Sequence, residues 1–102
     1  MKTKEKTKTF PFSLQTGFFR SELYHLVFGE TALLLVPASQ EGPAFSAGYE
    51  EALQVRFSCE DRSELEITLA EGTLRGYFSH REPCRPLVKE LKRIFREKFR
   101  VL

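Results

Sequence analysis

Hydrophobic and polar residues alternate in three successive runs between residues 53 and 78. The inward positions of these runs are Leu53, Val55, Phe57 and Cys59, then Leu65, Ile67 and Leu69, and then Leu74, Gly76 and Phe78. Alternation with period two and short polar connections predicts an antiparallel β-meander with one face in the core and one in water. On the wet face, we expect Arg56 and Arg75 to lie near the carboxylates of Glu64 and Glu66.

A different period marks the last part of the chain. Apolar residues recur there at spacings of three and four, at Leu87, Val88, Leu91, Ile94, Phe95, Phe99 and Leu102. At about 100° per residue these side chains fill one face, so the pattern predicts an amphipathic helix of about four turns that closes over the meander. Pro83 and Pro86 suit the helix start, where a missing backbone N–H is not needed.

The first half of the chain also predicts strands. Aromatic and β-branched residues favour a strand over residues 18–28, a turn at residues 29–30 and a second strand over residues 31–36. Both faces of the first strand carry apolar residues, so we expect it to be covered on both sides near its end. A helix over residues 19–28 is the alternative, because a short apolar run does not distinguish the two.

Two segments predict irregular structure. Residues 1–9 have no apolar residue after the initial methionine, which predicts a disordered tail ahead of a single domain over residues 10–102. Pro11 lacks an N–H group and can enter a sheet only at an edge or at a strand start. Residues 37–48 are rich in Pro, Gly and Ser and predict a loop, in which Phe45 either anchors the loop on the core or projects toward a partner.

The composition fits one globular domain. A chain of 102 residues that is 41% hydrophobic and contains ten Phe can bury a core, which excludes a wholly disordered protein. No apolar run approaches the ~18 residues that a membrane-spanning helix needs, and the basic start lacks the apolar segment of a secretory signal. We therefore expect a soluble, cytoplasmic domain.

The charge is unevenly distributed along the chain. The net charge of +2 conceals +3 in residues 1–9, −6 in residues 10–84 and +5 in residues 85–102. Basic ends on an acidic body can attract nucleic acid, anionic lipid or an acidic partner, and they can equally be held by the acidic body of the same chain.

Residue types that carry catalysis or bind metals are sparse. His25 and His80 have no partner histidine at a metal-binding spacing, and we interpret both as polar strand or loop residues. Cys59 occupies an inward position and is expected to be a small buried apolar residue, whereas Cys84 lies at the helix start, where a thiol pKa can be lowered. No phosphate-binding or dinucleotide-binding glycine motif is present. The sequence therefore predicts no enzyme, no catalytic residues, no cofactor and no metal site.

The order of these elements resembles a pleckstrin-homology-like (PH-like) domain, and more narrowly the small bacterial PH-like and GRAM-like domains. The segments that carry the resemblance are residues 29–36 (GETALLLV), 53–57 (LQVRF), 65–69 (LEITL), 72–78 (GTLRGYF) and 87–95 (LVKELKRIF). The resemblance implies an α+β, mainly β fold. It is expected to be an antiparallel, partly open barrel or two-sheet sandwich, capped by one C-terminal amphipathic helix.

Two departures from that family bear on function. The chain has no Trp, whereas eukaryotic PH domains carry one in the C-terminal helix, and Phe95 can fill the same space. Lipid-binding members hold inositol phosphates with basic residues on the first two strands, but this region offers Arg20 and His25 beside Glu22 and Glu30. The resemblance therefore favours protein interaction over phosphoinositide binding.

Two hypotheses of function follow from the sequence. The first is a non-catalytic protein-interaction scaffold of PH-like fold, whose open sheet edge can accept a peptide strand. The second is binding of nucleic acid or an anionic membrane surface through the basic face of the C-terminal helix. The candidate residues for contact with an anion or a partner are Lys89, Lys92, Arg93, Arg96 and Arg100.

Overall fold

The computed structural model describes residues 9–17, 20–59, 63–78 and 84–101, and within them the chain forms strands, one α-helix and one 3₁₀ turn. In chain order these are β1 (Thr9–Gly17), β2 (Arg20–Phe28), β3 (Ala32–Pro37), β4 (Phe45–Gly48), β5 (Gln54–Ser58), β6 (Ser63–Leu69), β7 (Gly72–Phe78), α1 (Cys84–Phe95), the 3₁₀ turn (Arg96–Lys98) and β8 (Phe99–Val101). The predicted disordered tail therefore lies outside the described residues, apart from Thr9, which begins β1.

The described strands form one eight-stranded sheet in the order β4-β3-β2-β1-β7-β6-β5-β8. Neighbouring strands are antiparallel except for β5 and β8, which run parallel. Strands β4 and β8 form the two edges and do not pair with each other, so the sheet is open and mixed. The predicted class, mainly β with one C-terminal helix, is confirmed.

Inward side chains from both ends of the sheet meet in one apolar core. Its buried members are Phe10, Phe12, Leu14, Tyr24, Leu26, Leu33, Leu35, Ala47, Ala52, Val55, Phe57, Leu65, Ile67, Phe78, Leu87, Leu91, Phe95 and Phe99. Because strands near both edges contribute to this core, the sheet must curve around it. Helix α1 closes the core with Leu87, Leu91 and Phe95, and apolar burial of this kind stabilises a fold by roughly 25 cal/mol per Å².

The predicted hairpin and meander are both present. β2 pairs with β3 across a tight turn, which confirms the strand prediction and excludes a helix over the described part of residues 19–28. β5, β6 and β7 pair in sequence, as the period-two pattern indicates. The predicted ion pairs also form: Arg56 Nη1 lies 3.4 Å from Glu66 Oε1, and Arg75 Nε lies 3.1 Å from Glu66 Oε2.

The position of Pro11 in β1 agrees with the prediction that a residue without an N–H group lies at an edge or at a strand start. Pro11 lies near the start of β1, ahead of Ser13 and Leu14, which are the described β1 residues that pair with β7. Among the described residues, β1 therefore has a hydrogen-bonded neighbour on both sides only beyond Pro11, the residue that lacks an N–H group.

The C-terminal helix is shorter than the sequence predicts. It ends at Phe95, Arg96 adopts a φ of 54°, and Phe99–Val101 run parallel to β5. The predictions of a four-turn helix and of a wholly antiparallel sheet are therefore wrong. The side chain of Phe99 reaches the core from a strand, and β5 supplies the backbone partners that a further helical turn would otherwise provide.

The outer face of β2 is open to solvent. Leu23 is 55% exposed and His25 is exposed, whereas Tyr24 and Leu26 are buried. The sequence predicts that both faces are covered near the end of the strand; Val27 and Phe28 there, on opposite faces, are half-buried, and the cover does not extend to Leu23 and His25. His25 is accordingly a polar strand residue, as predicted.

The segment predicted as a loop contains a strand. Residues 37–48 include the end of β3 and all of β4, so the loop prediction is wrong for these parts. Ser, Ala and Gly have low strand propensity, and pairing with β3 overrides it here. Phe45 is half-buried with its ring centroid 6.0 Å from that of Tyr24, which is the anchoring role.

Both ends of the first meander run depart from the predicted alternation. Leu53 is 60% exposed and Cys59 is exposed, whereas the sequence predicts both side chains to be inward. β5 covers only Gln54–Ser58, and residues beyond a strand's ends leave the pleat that alternates its side chains.

Gly76 marks a close approach between β7 and β1. A Cβ atom placed there would lie 2.3 Å from Cζ of Phe12 and 2.5 Å from the carbonyl oxygen of Ser13. We expect Gly76→Ala to lower the free energy of unfolding by about 1–3 kcal/mol, because the added methyl has no space. Chemical denaturation measures the effect, with Thr73→Ala at an exposed position of the same strand as control. Equal losses in the two variants would contradict the close approach.

Arg96 occupies the left-handed region of backbone conformation, which costs a non-glycine residue roughly 1–2 kcal/mol. We expect Arg96→Gly to leave the free energy of unfolding unchanged or to raise it by up to about 1 kcal/mol. Glu97→Gly, one residue later, should lower it. Urea denaturation of both variants distinguishes the sites, and an equal loss at both would show that Arg96 is not strained.

Tyr24 links stability to pH. Its hydroxyl donates a hydrogen bond to the carbonyl oxygen of Pro43 at 2.8 Å. Burial, with a smaller contribution from Glu22, raises the pKa of Tyr24 above its ordinary value of about 10. A raised pKa in the folded state stabilises the fold below the unfolded-state pKa, and this contribution is lost as pH rises through the folded-state pKa.

We therefore expect the difference in unfolding free energy between wild type and Tyr24→Phe to shrink above about pH 10. Urea titrations at several alkaline pH values measure that difference. A difference that stays constant with pH would mean that Tyr24 ionises equally easily in the folded and unfolded states.

Candidate functional site

Strand β4 is an edge whose outward backbone groups can be assigned from its pairing. The N–H of Tyr49 donates to the carbonyl oxygen of Thr31 at 3.0 Å, so these two residues form a hydrogen-bonded pair next to the ladder of β3 and β4. Such pairs recur at every second residue in an antiparallel ladder. Ala47 therefore bonds to β3, whereas the backbone groups of Ser46 and Gly48 point away from it, toward the open edge.

One of these outward backbone groups already has hydrogen-bond partners in the turn that follows β4. The carbonyl oxygen of Gly48 accepts hydrogen bonds from the N–H groups of Glu51 and Ala52 at 3.1 and 2.9 Å. What remains is the N–H and carbonyl of Ser46 and the N–H of Gly48, for which the described residues provide no partner. Unpaired groups of this kind are a template for one more strand.

Ser46 and Gly48 both line a cleft of about 540 Å³, which we call the edge cleft. It is lined by Glu30, Thr31, Ala32, Ser46, Gly48, Tyr49, Glu50 and Glu51. Three of the lining residues are carboxylates, and no Lys, Arg or His is among them. The described lining residues therefore combine a strand edge with three negative charges, and the ammonium group of Lys98 lies beside two of these residues.

Tyr49 and Lys98 hold the edge cleft in shape. The Tyr49 hydroxyl donates to the carbonyl oxygen of Gly29 at 2.8 Å, and its ring lies edge-on to Phe95 at 5.5 Å. Lys98 Nζ donates to the carbonyl oxygens of Tyr49 and Glu50 at 3.1 and 3.3 Å. Burial is the largest cause of the raised pKa of Tyr49.

A second charged surface lies on the wet face of β5, β6 and β7. Its pocket of about 350 Å³ is lined by Arg56, Ser58, Glu64, Glu66 and Arg75. Arg75 Nε lies 3.6 Å from Glu64 Oε2, and its hydrogen bond to Glu66 raises the pKa of Arg75. Because the opposite charges pair with one another, we interpret this surface as structural.

The structure divides the predicted contact residues among three elements. Lys89, Lys92 and Arg93 are exposed on α1, Arg96 lies in the 3₁₀ turn, and Arg100 lies on β8. Arg93 Nη2 donates to Glu90 Oε1 at 2.7 Å, and this bond raises the pKa of Arg93. The five cations are therefore not one helical face, although each is exposed.

The edge cleft is not evident from the amino-acid sequence. Its strand was predicted as part of a loop, and the carboxylates of Glu30, Glu50 and Glu51 come from two turns separated in the chain. The available signal is the pair of acidic residues at 50–51, shortly after the small residues at 46–48. Which turns come together depends on the pairing of β3 with β4, which that run does not reveal.

The described His, Cys, Asp and Glu residues do not form a candidate metal site. Among the described residues, no three His, Cys, Asp or Glu side chains are placed to hold a metal ion. His80 lies outside the described residues, and so does the side chain of Cys84, although its backbone begins α1 as predicted. In the part of the chain that the structure describes, no helix is long and apolar enough to cross a membrane.

Comparison with known proteins supports the fold. No family model matches this sequence, and no curated protein matches it. The chain is similar in structure to a chain in the structure of the Spt16D Pob3N heterodimer, with 17% sequence identity and a TM-score of 0.71. The match covers 95% of this chain and 54% of that chain, so this chain spans about half the length of its structural neighbour. The fold is that of a small PH-like domain.

Proposed function

We propose that this protein is a non-catalytic protein-interaction module that binds an extended, basic segment of a partner protein at the edge cleft. The observation that carries the proposal is that Ser46 and Gly48, whose backbone groups point away from β3, line the same cleft as Glu30, Glu50 and Glu51. An added strand would gain main-chain hydrogen bonds, which is a recurring mode of peptide recognition.

The charge of the cleft defines the partner. Three carboxylates around the edge attract Lys or Arg side chains of the incoming segment and repel Asp and Glu. Pairing of β4 with β4 of a second copy would bring two such clefts together, and like charges would oppose it. A basic partner is therefore favoured over self-association at this edge.

The structural neighbour is part of a protein heterodimer. A chain of this fold can thus form contacts with another protein, which supports the class of function proposed here without specifying the surface. The chemistry of the edge cleft is what supports this surface over others.

Amide hydrogen exchange followed by NMR tests the proposal. In the free protein, we expect the amides of Ser46 and Gly48 to exchange fast and that of Ala47 to exchange slowly, because only Ala47 bonds to β3. A synthetic peptide of alternating Lys and Val residues should slow the exchange of Ser46 and Gly48. A peptide of alternating Glu and Val residues is the control and should leave both amides fast.

Substitutions separate the backbone contribution from the charge contribution. Ser46→Pro removes an outward N–H without removing a bond to β3 and should abolish binding of the Lys-Val peptide, whereas Ser46→Ala keeps the N–H and should bind normally. Replacing Glu30, Glu50 and Glu51 together by Gln should weaken binding about tenfold or more. Equal affinity of Ser46→Pro and Ser46→Ala, with unchanged melting temperatures, would refute strand addition at β4.

A further inference from the structure

A groove lies at the opposite edge of the sheet, between α1 and the ends of β5 and β8. Its volume is about 400 Å³, within the range of protein sites that bind ligands. Four residues on one side of α1 line it, namely Arg85, Val88, Lys89 and Lys92. They lie on one side of the helix because their spacings of three and four residues correspond to about one helical turn. We call this site the helix groove.

The floor of the helix groove is apolar. It is formed by Phe57, Val88 and Val101, and the thiol of Cys59 lies beside them. Val101 is 56% exposed, which is a large exposed fraction for an aliphatic residue, and Val88 is half-buried against the core. Phe57 is already buried, so a partner that covers this floor would remove the apolar surface of Val88 and Val101 from water and so gain affinity.

The rim of the helix groove is basic. Arg85, Lys89 and Lys92 are exposed along it, and no Asp or Glu is among the described lining residues. Long cationic side chains of this kind place their aliphatic stems beside an apolar floor and keep their charges at its margin. The groove therefore selects for a ligand with apolar groups in its centre and negative charges at its sides.

We propose that the helix groove binds an acidic segment of a partner protein, one that inserts apolar side chains over Val88 and Val101 and places carboxylates against Lys89, Lys92 and Arg85. Charge complementarity specifies this occupant, because the three cations meet carboxylates while the floor excludes them. The proposal goes beyond the edge cleft, which is acidic, lies on β4 and takes a partner of opposite charge.

Two other anionic surfaces are alternatives for the groove. Nucleic acid would place phosphates on the cations but would leave the apolar floor uncovered. An anionic bilayer would cover Val101 as well, and competition by vesicles distinguishes it from a protein segment.

Binding of a fluorescent synthetic peptide of alternating Glu and Leu residues, followed by anisotropy, tests the proposal. We expect the wild-type protein to bind this peptide and not the corresponding Lys-Leu peptide. Lys89→Glu combined with Lys92→Glu should weaken binding at least about tenfold. Arg96→Glu combined with Arg100→Glu makes the same change in net charge outside the groove and should have less than about a twofold effect.

Val101→Asp tests the floor separately from the rim. Because Val101 is more than half exposed, this variant should keep its melting temperature and yet bind the Glu-Leu peptide at least about tenfold more weakly. Ser46→Pro should bind the Glu-Leu peptide normally, so failure at the edge cleft and failure at the helix groove are distinguishable.

Three results would overturn the inference. One is equal weakening by the two charge-reversed pairs, which would show that net charge alone drives binding. Another is unchanged binding by Val101→Asp. The third is tight binding of a DNA duplex, or of vesicles that contain phosphatidylserine, in competition with the Glu-Leu peptide. If the Lys89→Glu, Lys92→Glu variant lost that binding, the groove would be a site for phosphate groups.

Discussion

The contact between β1 and β7 is the constraint on which the rest of the fold depends. Within the described residues, two residue pairs, Ser13 with Tyr77 and Leu14 with Gly76, join one half of the sheet to the other. The absence of a side chain at Gly76 lets the ring of Phe12 approach the backbone of β7, where it also meets Phe78 at 4.8 Å. This narrow join lets the sheet curve around one core and leaves β4 and β8 as separate edges.

The two edges differ in both chemistry and construction. The β4 edge offers backbone groups in a cleft of carboxylates, held in shape by Tyr49 and Lys98. The β8 edge lies beside α1, where apolar side chains and cations replace backbone groups as the exposed feature. The acidic body and basic end of the sequence thus become two surfaces of opposite sign, and each suits a different class of partner.

The sequence predicts those parts of the fold in which local pattern and burial agree. The meander follows from period-two alternation, and the inner stripe of α1 from Leu87, Leu91 and Phe95. The pattern fails after Phe95 because Phe99 satisfies a helical spacing and a strand equally well, and only the presence of β5 beside it decides between them. The local sequence pattern contains no information on whether β5 lies beside this segment.

The candidate sites show the same division. The cations of α1 are evident from sequence, but their grouping around an apolar floor requires Phe57 and Val101, which come from distant strands. Strand β4 has too few strongly strand-forming residues to be predicted from sequence. It is a strand because it pairs with β3. A surface built from several elements therefore cannot be predicted from the sequence, even where each element can.

The parallel strand at the end of the described chain also shields its neighbour. β5 alternates buried Val55 and Phe57 with polar residues, and without β8 its backbone edge would be open to strands of other molecules. Three residues after the 3₁₀ turn close that edge from within the same chain. Proteolytic trimming behind Lys98 would thus do more than shorten the protein: it would create an aggregation-prone edge beside the apolar core.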